Sequence, residues 1–263
     1  QDGKVTHVAV GFFTREGGPG GAVLFKVKEY ETKIIGGRNY EIPVLDPEYK
    51  ILASGNSITD LRFRQDGVLV VNNVDRRRLN FFNLDGEQAR PDIIVPYGGQ
   101  LSVIKIGTSL TPQGRRTLLS HARPGSYYSS RVTIVDENYN EVVSYTEYTD
   151  SEGNQRRLPE TMAGSVDAAG NIFLAAFTGN YFLVLDPEGR LIYENTAPFP
   201  NPSKPEEPIT LQQVTDVYTH PEEPLHFYIS DAAQHVLEFQ ILPRGQRPGQ
   251  RRVQEAPRGK KVD

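Results

Sequence analysis

The chain of 263 residues has no cysteine, no tryptophan and a single methionine. Without thiols it has no disulfides, no thiolate nucleophile and no cysteine-based metal site, and both cytosolic and exported settings stay open. No apolar run approaches the roughly 20 residues that a membrane-crossing helix needs. The formal net charge is −4, which argues against nucleic acid as a partner despite the short arginine clusters at 76–78, 115–116 and 156–157. A G-x-S-x-G elbow, an H-E-x-x-H pair and a phosphate-cradling glycine loop are all missing.

What is abundant is strand and turn chemistry: 24 Gly, 19 Pro, 13 Tyr and 12 Phe, with 37% hydrophobic residues. β-branched and aromatic residues between glycine- and proline-marked turns point to an all-β chain. The length suits one large β domain or two ordinary ones.

The stretch "VDAAGNIFLAAFTGNYFLVLDPEGRL" at 166–191 carries Gly170 and Gly189, nineteen positions apart. Residues 63–87 superpose on 166–190 without a gap, placing Gly67 on Gly170 and Gly86 on Gly189. Leu69, Val70 and Val71 then fall on Ile172, Phe173 and Leu174, while Leu79, Phe81 and Phe82 fall on Phe182, Val184 and Leu185. Each copy reads as turn, strand, turn, strand, turn. A third copy, "PLHFYISDAAQHVLEF", places Phe227 and Tyr228 on Phe173 and Leu174, and Val236 and Leu237 on Phe182 and Leu183. "LDPEYKIL" at 45–52 matches "LDPEGRLI" at 185–192 as a fragment of a fourth, and "VTIVDENYNEVV" at 132–143 is a fifth, with Asn140 in place of the glycine. A period of roughly 40–50 residues is that of a β-propeller blade. One four-stranded sheet cannot hide both its faces, whereas neighbouring sheets bury them mutually. The expected fold is therefore a propeller of five to six four-stranded antiparallel blades over 1–242, with residues 5–30 supplying a sixth blade or a closing strand.

The phrase V-D-x-x-G-N-I-F-L-A followed by F-x-V-L-D-P-E-G resembles the NHL repeat and, more loosely, the six-bladed TolB-like and SMP-30-like propellers. The SMP-30-like resemblance implies a lactonase-type metal site in a P-D-G-M-x-V-D-x-x-G-N phrase. Here that stretch is "TMAGSVDAAGN", with Met162 at the ligand aspartate and Ala163 at the glycine, so that site is not expected to form.

Candidate ligands lie where first strands would line a channel. "SITDLRF" and "QVTDVYT" place Asp60 and Asp216 at matching points, and Asn72 could add an oxygen. Two readings stand side by side: a Ca²⁺ site of hard oxygen ligands, or aspartates that cap local turns. His220, His226 and His235 lie close in sequence but read as surface or half-buried strand residues, since a metal trio needs all three to converge. Tyr127, Tyr128, Tyr145 and Tyr148 could form aromatic platforms for a sugar or peptide.

Two segments fall outside the repeat. "PFPNPSKPEEP" at 198–208 has five prolines in eleven positions and reads as an extended inter-blade arm, either a spacer or a strip for a partner. The tail 243–263 carries Arg244, Arg247, Arg251, Arg252, Arg258, Lys260 and Lys261 against two acids, and is too poor in apolar residues to form a core. It leaves a body of charge −9 attached to a tail of +5, a balance that draws the tail to anionic surfaces: its own body, a second copy, an acidic partner, or a lipid or polysaccharide layer. The start at Gln1 without Met is expected of a chain whose export signal has been removed, which would make it periplasmic, cell-surface or extracellular. Together these features lead to the expectation of a non-catalytic binding or assembly module that requires no cofactor, its tail touching a neighbouring subunit. The alternative is a divalent-metal hydrolase using Asp60, Asp216 and Asn72.

Overall fold

The computed structural model describes residues 4–12, 20–35, 37–54, 57–74, 76–95, 102–122, 129–176, 181–195, 198–201, 204–233 and 235–242. The tail, with Arg244, Arg247, Arg251, Arg252, Arg258, Lys260 and Lys261, lies outside the described residues, as do Tyr127 and Tyr128. Every regular element among the described residues is a strand. The fold is all-β, a five-bladed β-propeller, whose chain divides into two compact units with the break after Val95.

The first unit holds two blades. β1 (His7–Phe12), β2 (Gly21–Ile35) and β3 (Arg38–Ser54) form a three-stranded sheet; β4 (Ile58–Phe63), β5 (Leu69–Asn73), β6 (Arg78–Phe82) and β7 (Gln88–Ile94) form a four-stranded one in sequence order. Residues 7–12 and 21–35 thus lie in one blade together with β3. Its core joins Ala22 and Leu24 to Ile58, Leu69 and Val71.

The second unit holds three. β8 (Ser102–Thr111), β9 (Gly114–Ala122), β10 (Val132–Val135) and β11 (Glu141–Tyr145) make a four-stranded blade. The hairpin of β12 (Glu147–Thr149) and β13 (Gln155–Arg157) follows it. The next blade is β14 (Thr161–Val166), β15 (Ile172–Ala176), β16 (Phe182–Leu185) and β17 (Leu191–Glu194), and β18 (Val214–Thr219), β19 (His226–Asp231) and β20 (Val236–Gln240) complete the unit. Three blades have the expected four strands, while the first and last have three among the described residues.

The two matched repeats share their register. Leu69 pairs with Phe82 and Asn72 with Leu79; Ile172 pairs with Leu185 and Ala175 with Phe182. Two-sided burial drives this. Ile172, Leu174, Leu183 and Leu185 pack with Leu118, Val132 and Ile134 of the preceding blade, whereas Phe173, Ala175, Phe182 and Val184 pack with Val217, Phe227 and Ile229 of the following one. Strands buried on both faces lose the polar alternation of a half-exposed sheet.

The turns share one geometry. In 83–87, 136–140, 150–154, 167–171 and 186–190, the first side chain, Asp or Asn, accepts the backbone N–H groups of the third and fifth residues. The fourth residue has positive φ and is Gly86, Gly153, Gly170 or Gly189, because glycine enters that region without a Cβ penalty. In the fifth copy the glycine position is occupied by Tyr139 (φ 65°), not by Asn140.

Two other expectations are corrected. "LDPE" at 45–48 makes no turn: it bulges within β3, where Phe25 faces Tyr49 and Val27 faces Leu45. Tyr49 stands where Gly189 supplies positive φ, although Asp46 still accepts the Glu48 N–H at 3.0 Å. The third copy matches in its first hairpin, but its second is displaced by one residue, so that Phe227 pairs with Phe239 and the buried residue is Leu237. The proline-rich stretch is pinned: Phe199 and Ile209 exchange two backbone bonds of 2.8 Å, and the Phe199 ring lies 4.7 Å from that of Phe239.

Candidate functional site

The first strand of four blades carries a β-bulge at its second or third residue, at Thr59, Ile104, Met162 and Thr215. The residue after each bulge is Asp60, Lys105, Ala163 or Asp216, so the matching positions of Asp60 and Asp216 are structural equivalents. Asp60 Oδ1 accepts the N–H of Leu61 at 3.0 Å and Asp216 Oδ1 that of Val217 at 2.8 Å. The second carboxylate oxygen faces a cation in each case: Arg62 Nε at 3.3 Å for Asp60, and Lys105 Nζ at 3.9 Å for Asp216. Asn72 lies opposite Asp60 in register but donates to Thr59 Oγ1 at 2.7 Å. Asp60 and Asn72 belong to the first unit and Asp216 to the second. Each aspartate thus bonds the backbone next to its own bulge. Tyr145 and Tyr148 pack against the Leu183 and Leu185 cluster, with Tyr145 OH donating to the Pro187 carbonyl at 2.7 Å.

Two of the three late histidines do converge. β18 ends at Thr219 and β19 begins at His226, with "HPEEPL" between them. Pro221 and Pro224 restrict the loop, and Leu225 sits at φ 60°, a strained value for a bulky residue. Its N–H donates to Asp167 Oδ2 at 2.8 Å and its carbonyl accepts from the Ile241 N–H at 2.9 Å, so contacts on both sides hold the strain. The rings of His220 and His226 stack with centroids 4.8 Å apart and planes 4° apart. His226, 4% exposed, has a carboxylate at each nitrogen: Glu223 Oε2 lies 2.9 Å from Nδ1 and Glu238 Oε1 2.7 Å from Nε2. Tyr228 OH donates to the same Glu238 oxygen at 3.1 Å, and burial followed by this carboxylate raises the phenol's pKa. His220 Nδ1 accepts the N–H groups of Glu222 and Glu223. His235 stands apart, bonded to Asp231 at 3.0 Å. Of the three, only His226 is a strand residue, at the start of β19, and it is buried rather than half-buried; His220 and His235 lie in the connections next to β18 and β20.

Glu223 and Glu238 are the partners that sequence reasoning passes over. Glu223 had a signal, the His-x-x-Glu-x-x-His spacing between two prolines. Glu238 had none, because it reaches His226 only through the pairing of Tyr228 with Glu238 across β19 and β20.

A further feature is the length of β2 and β3. β1 pairs with β2 from Gly21 to Lys26, and the Thr6 carbonyl accepts the Val27 N–H at 2.8 Å, beyond which β2 and β3 continue as a two-stranded ribbon to the pair Ile35 and Arg38. Nine residues of strand extend about 30 Å. Lys4 and Val5 run along one face, where Tyr30 OH donates to the Val5 carbonyl at 2.6 Å and Lys4 Nζ sits 4.8 Å from the Tyr30 ring centroid. Tyr40, Ile42 and Val44 share the other face, opposite Lys33, Glu31 and Glu29. Near the tip Ile34 is 75% exposed.

No family model and no curated protein matches the sequence. Among solved structures, a protein of unknown function from Bacteroides caccae aligns at 10% identity with a TM-score of 0.49, over 96% of this chain and 73% of that one. Raptor from Chaetomium thermophilum aligns at 11% identity and a TM-score of 0.46, over 88% of this chain and 18% of its own length. Virginiamycin B lyase from Staphylococcus aureus aligns at 10% identity and a TM-score of 0.37, over 90% and 89%. None of these likenesses transfers an activity to this chain.

Proposed function

We propose that the chain is a binding or assembly module that engages a protein partner through the β2–β3 ribbon. The observation that carries this reading is the overshoot of β2 and β3 beyond β1. A lone two-stranded ribbon is marginal in water, and this one carries the stripe Tyr40, Ile42 and Val44 beside charged residues, with Ile34 exposed at its tip. An aromatic and aliphatic stripe flanked by charge is the composition of a docking surface. The edge of β3 carries Pro43, Pro47 and bulges, features that discourage indiscriminate strand addition, so recognition rests on the ribbon's side chains. The charge contrast between tail and body supports a second contact by the tail. The hydrolase alternative requires Asp60 and Asp216 to exchange their present bonds for a metal.

The test replaces residues 28–44 by an Asn-Gly turn and compares the variant with the full chain. Light scattering compares the two chains, and photo-crosslinking from position 34 of the full chain in the native source reads its partner. The shortened chain is expected to keep its melting transition and lose its associations. Unchanged association would refute the ribbon's role, and metal-dependent lactone hydrolysis by the purified chain would favour the hydrolase.

A further inference from the structure

We infer that the corner between β18 and β19 binds one divalent transition-metal ion of the zinc class through His226 Nδ1, Glu223 and His220. The inference starts from the groups that surround the His226 ring. Glu238 Oε1 receives the Tyr228 hydroxyl and lies 2.7 Å from His226 Nε2; a carboxylate accepts only, so Nε2 is the donor. Nδ1 lies 2.9 Å from Glu223 Oε2, so a single ion can bridge this nitrogen and carboxylate in the place that a second ring proton would otherwise take. His220 Nδ1, which accepts backbone N–H groups, is a lone-pair nitrogen. The ligand atoms of the three residues lie within 4.8 Å of one another.

Around a tetrahedral ion with bonds of about 2.1 Å, ligand atoms sit about 3.4 Å apart. His226 and Glu223 are already within that spacing. His220 has to turn out of its stack and approach, and its half-buried position allows it. Glu238 then occupies the place of the outer carboxylate that orients a ligating histidine, fixes its tautomer and raises its basicity. Two imidazoles and one carboxylate favour zinc-like ions over calcium, which takes oxygen ligands. Such an ion would tie the β18–β19 loop to β20 through Glu238, within a blade of three strands among the described residues.

The test uses the untagged full chain, stripped with chelator and titrated with Zn²⁺ by calorimetry, with Co²⁺ absorption as a coordination readout. One ion per chain, a higher melting temperature with metal and a tetrahedral Co²⁺ spectrum are expected. Glu223→Gln and His220→Ala should weaken binding at least about tenfold and lose the rise in melting temperature on adding metal, each measured against its own metal-free form, and Glu238→Gln should weaken binding about tenfold. His7→Gln and His235→Gln should bind like the parent. The inference is overturned if no saturable one-to-one binding is found, or if His220→Ala and Glu223→Gln bind as tightly as the parent. It also fails if metal has no effect and only acidification stabilises the corner, since the cation is then a proton.

Discussion

Two middle strands of this protein have opposite fates. β15, Ile172–Ala176, is buried at every residue, whereas β2 is buried near Ala22 and Leu24 and exposed from Glu31 to Ile34. Both pair with a strand on each side for at least part of their length. Backbone pairing therefore does not distinguish them; what differs is whether another sheet covers their faces. "IFLAA" offers apolar groups to both sides, while "KVKEYETK" alternates charge with bulk and stays in water. The largest expected effect follows. Phe173, whose ring lies 4.7 Å from that of Phe227, is 1% exposed. Phe173→Ala should cost about 3–5 kcal/mol in chemical denaturation, against a change within about 0.5 kcal/mol for Ile34→Thr. Similar losses at the two sites would break the comparison.

The same contrast between covered and uncovered explains what the sequence makes legible. Gly67, Gly86, Gly170 and Gly189 mark turns whose fourth residue needs positive φ, and equal spacing between them requires equal register, so two blades can be read ungapped. "LDPE" at 45–48 misleads because the motif does not by itself set the turn: Tyr139 takes the positive φ in the turn at 136–140, whereas Tyr49 stays within β3, paired with Phe25. The one-residue displacement in the last blade is hidden because Val236 and Leu237 are both apolar and only burial separates them. The ribbon did have a local sign, the Gly-Gly pair at 36–37 between two strand-like runs, but its overshoot depends on where β1 stops. The His226 site was legible only in part, because spacing reveals loop neighbours and not the cross-strand Glu238.

The next effect concerns two histidines, one in each unit. His121, on β9, is fully buried with Nε2 2.9 Å from Thr133 Oγ1, and burial, then the Arg131 charge, lowers its pKa to about 4. His7, on β1, is lowered as well, first by burial and then by Lys26. A folded-state pKa below the unfolded value of about 6.5 means that the unfolded chain binds the proton more tightly. The stabilisation is therefore complete above about pH 6.5 and lost as pH falls toward about 4, with a span of about 3 kcal/mol for His121. Urea unfolding at about pH 7.5 and about pH 5 should show the loss, and His121→Gln should remove most of it. A slope unchanged by that substitution would mean that the buried histidine is not its source.

The smallest effect sharpens the comparison most, because it holds backbone conformation constant. Gly37 at the ribbon tip and Gly189 in the turn before β17 have φ of 79° and 80°. Alanine at either position meets the same left-handed penalty of roughly 1–2 kcal/mol. At Gly37 a Cβ would meet nothing within 4 Å, but at Gly189 it would fall 2.8 Å from Tyr145 Cε1. Gly189→Ala must therefore displace the ring whose hydroxyl holds the Pro187 carbonyl, and it should lower global stability by about 2–3 kcal/mol. A ribbon tip that opens locally below the global transition contributes little to it. Gly37→Ala should therefore leave the melting temperature nearly unchanged while accelerating amide exchange between residues 27 and 44. If Gly37→Ala instead lowers global stability as much as Gly189→Ala, the ribbon unfolds with the blades and is no independent arm.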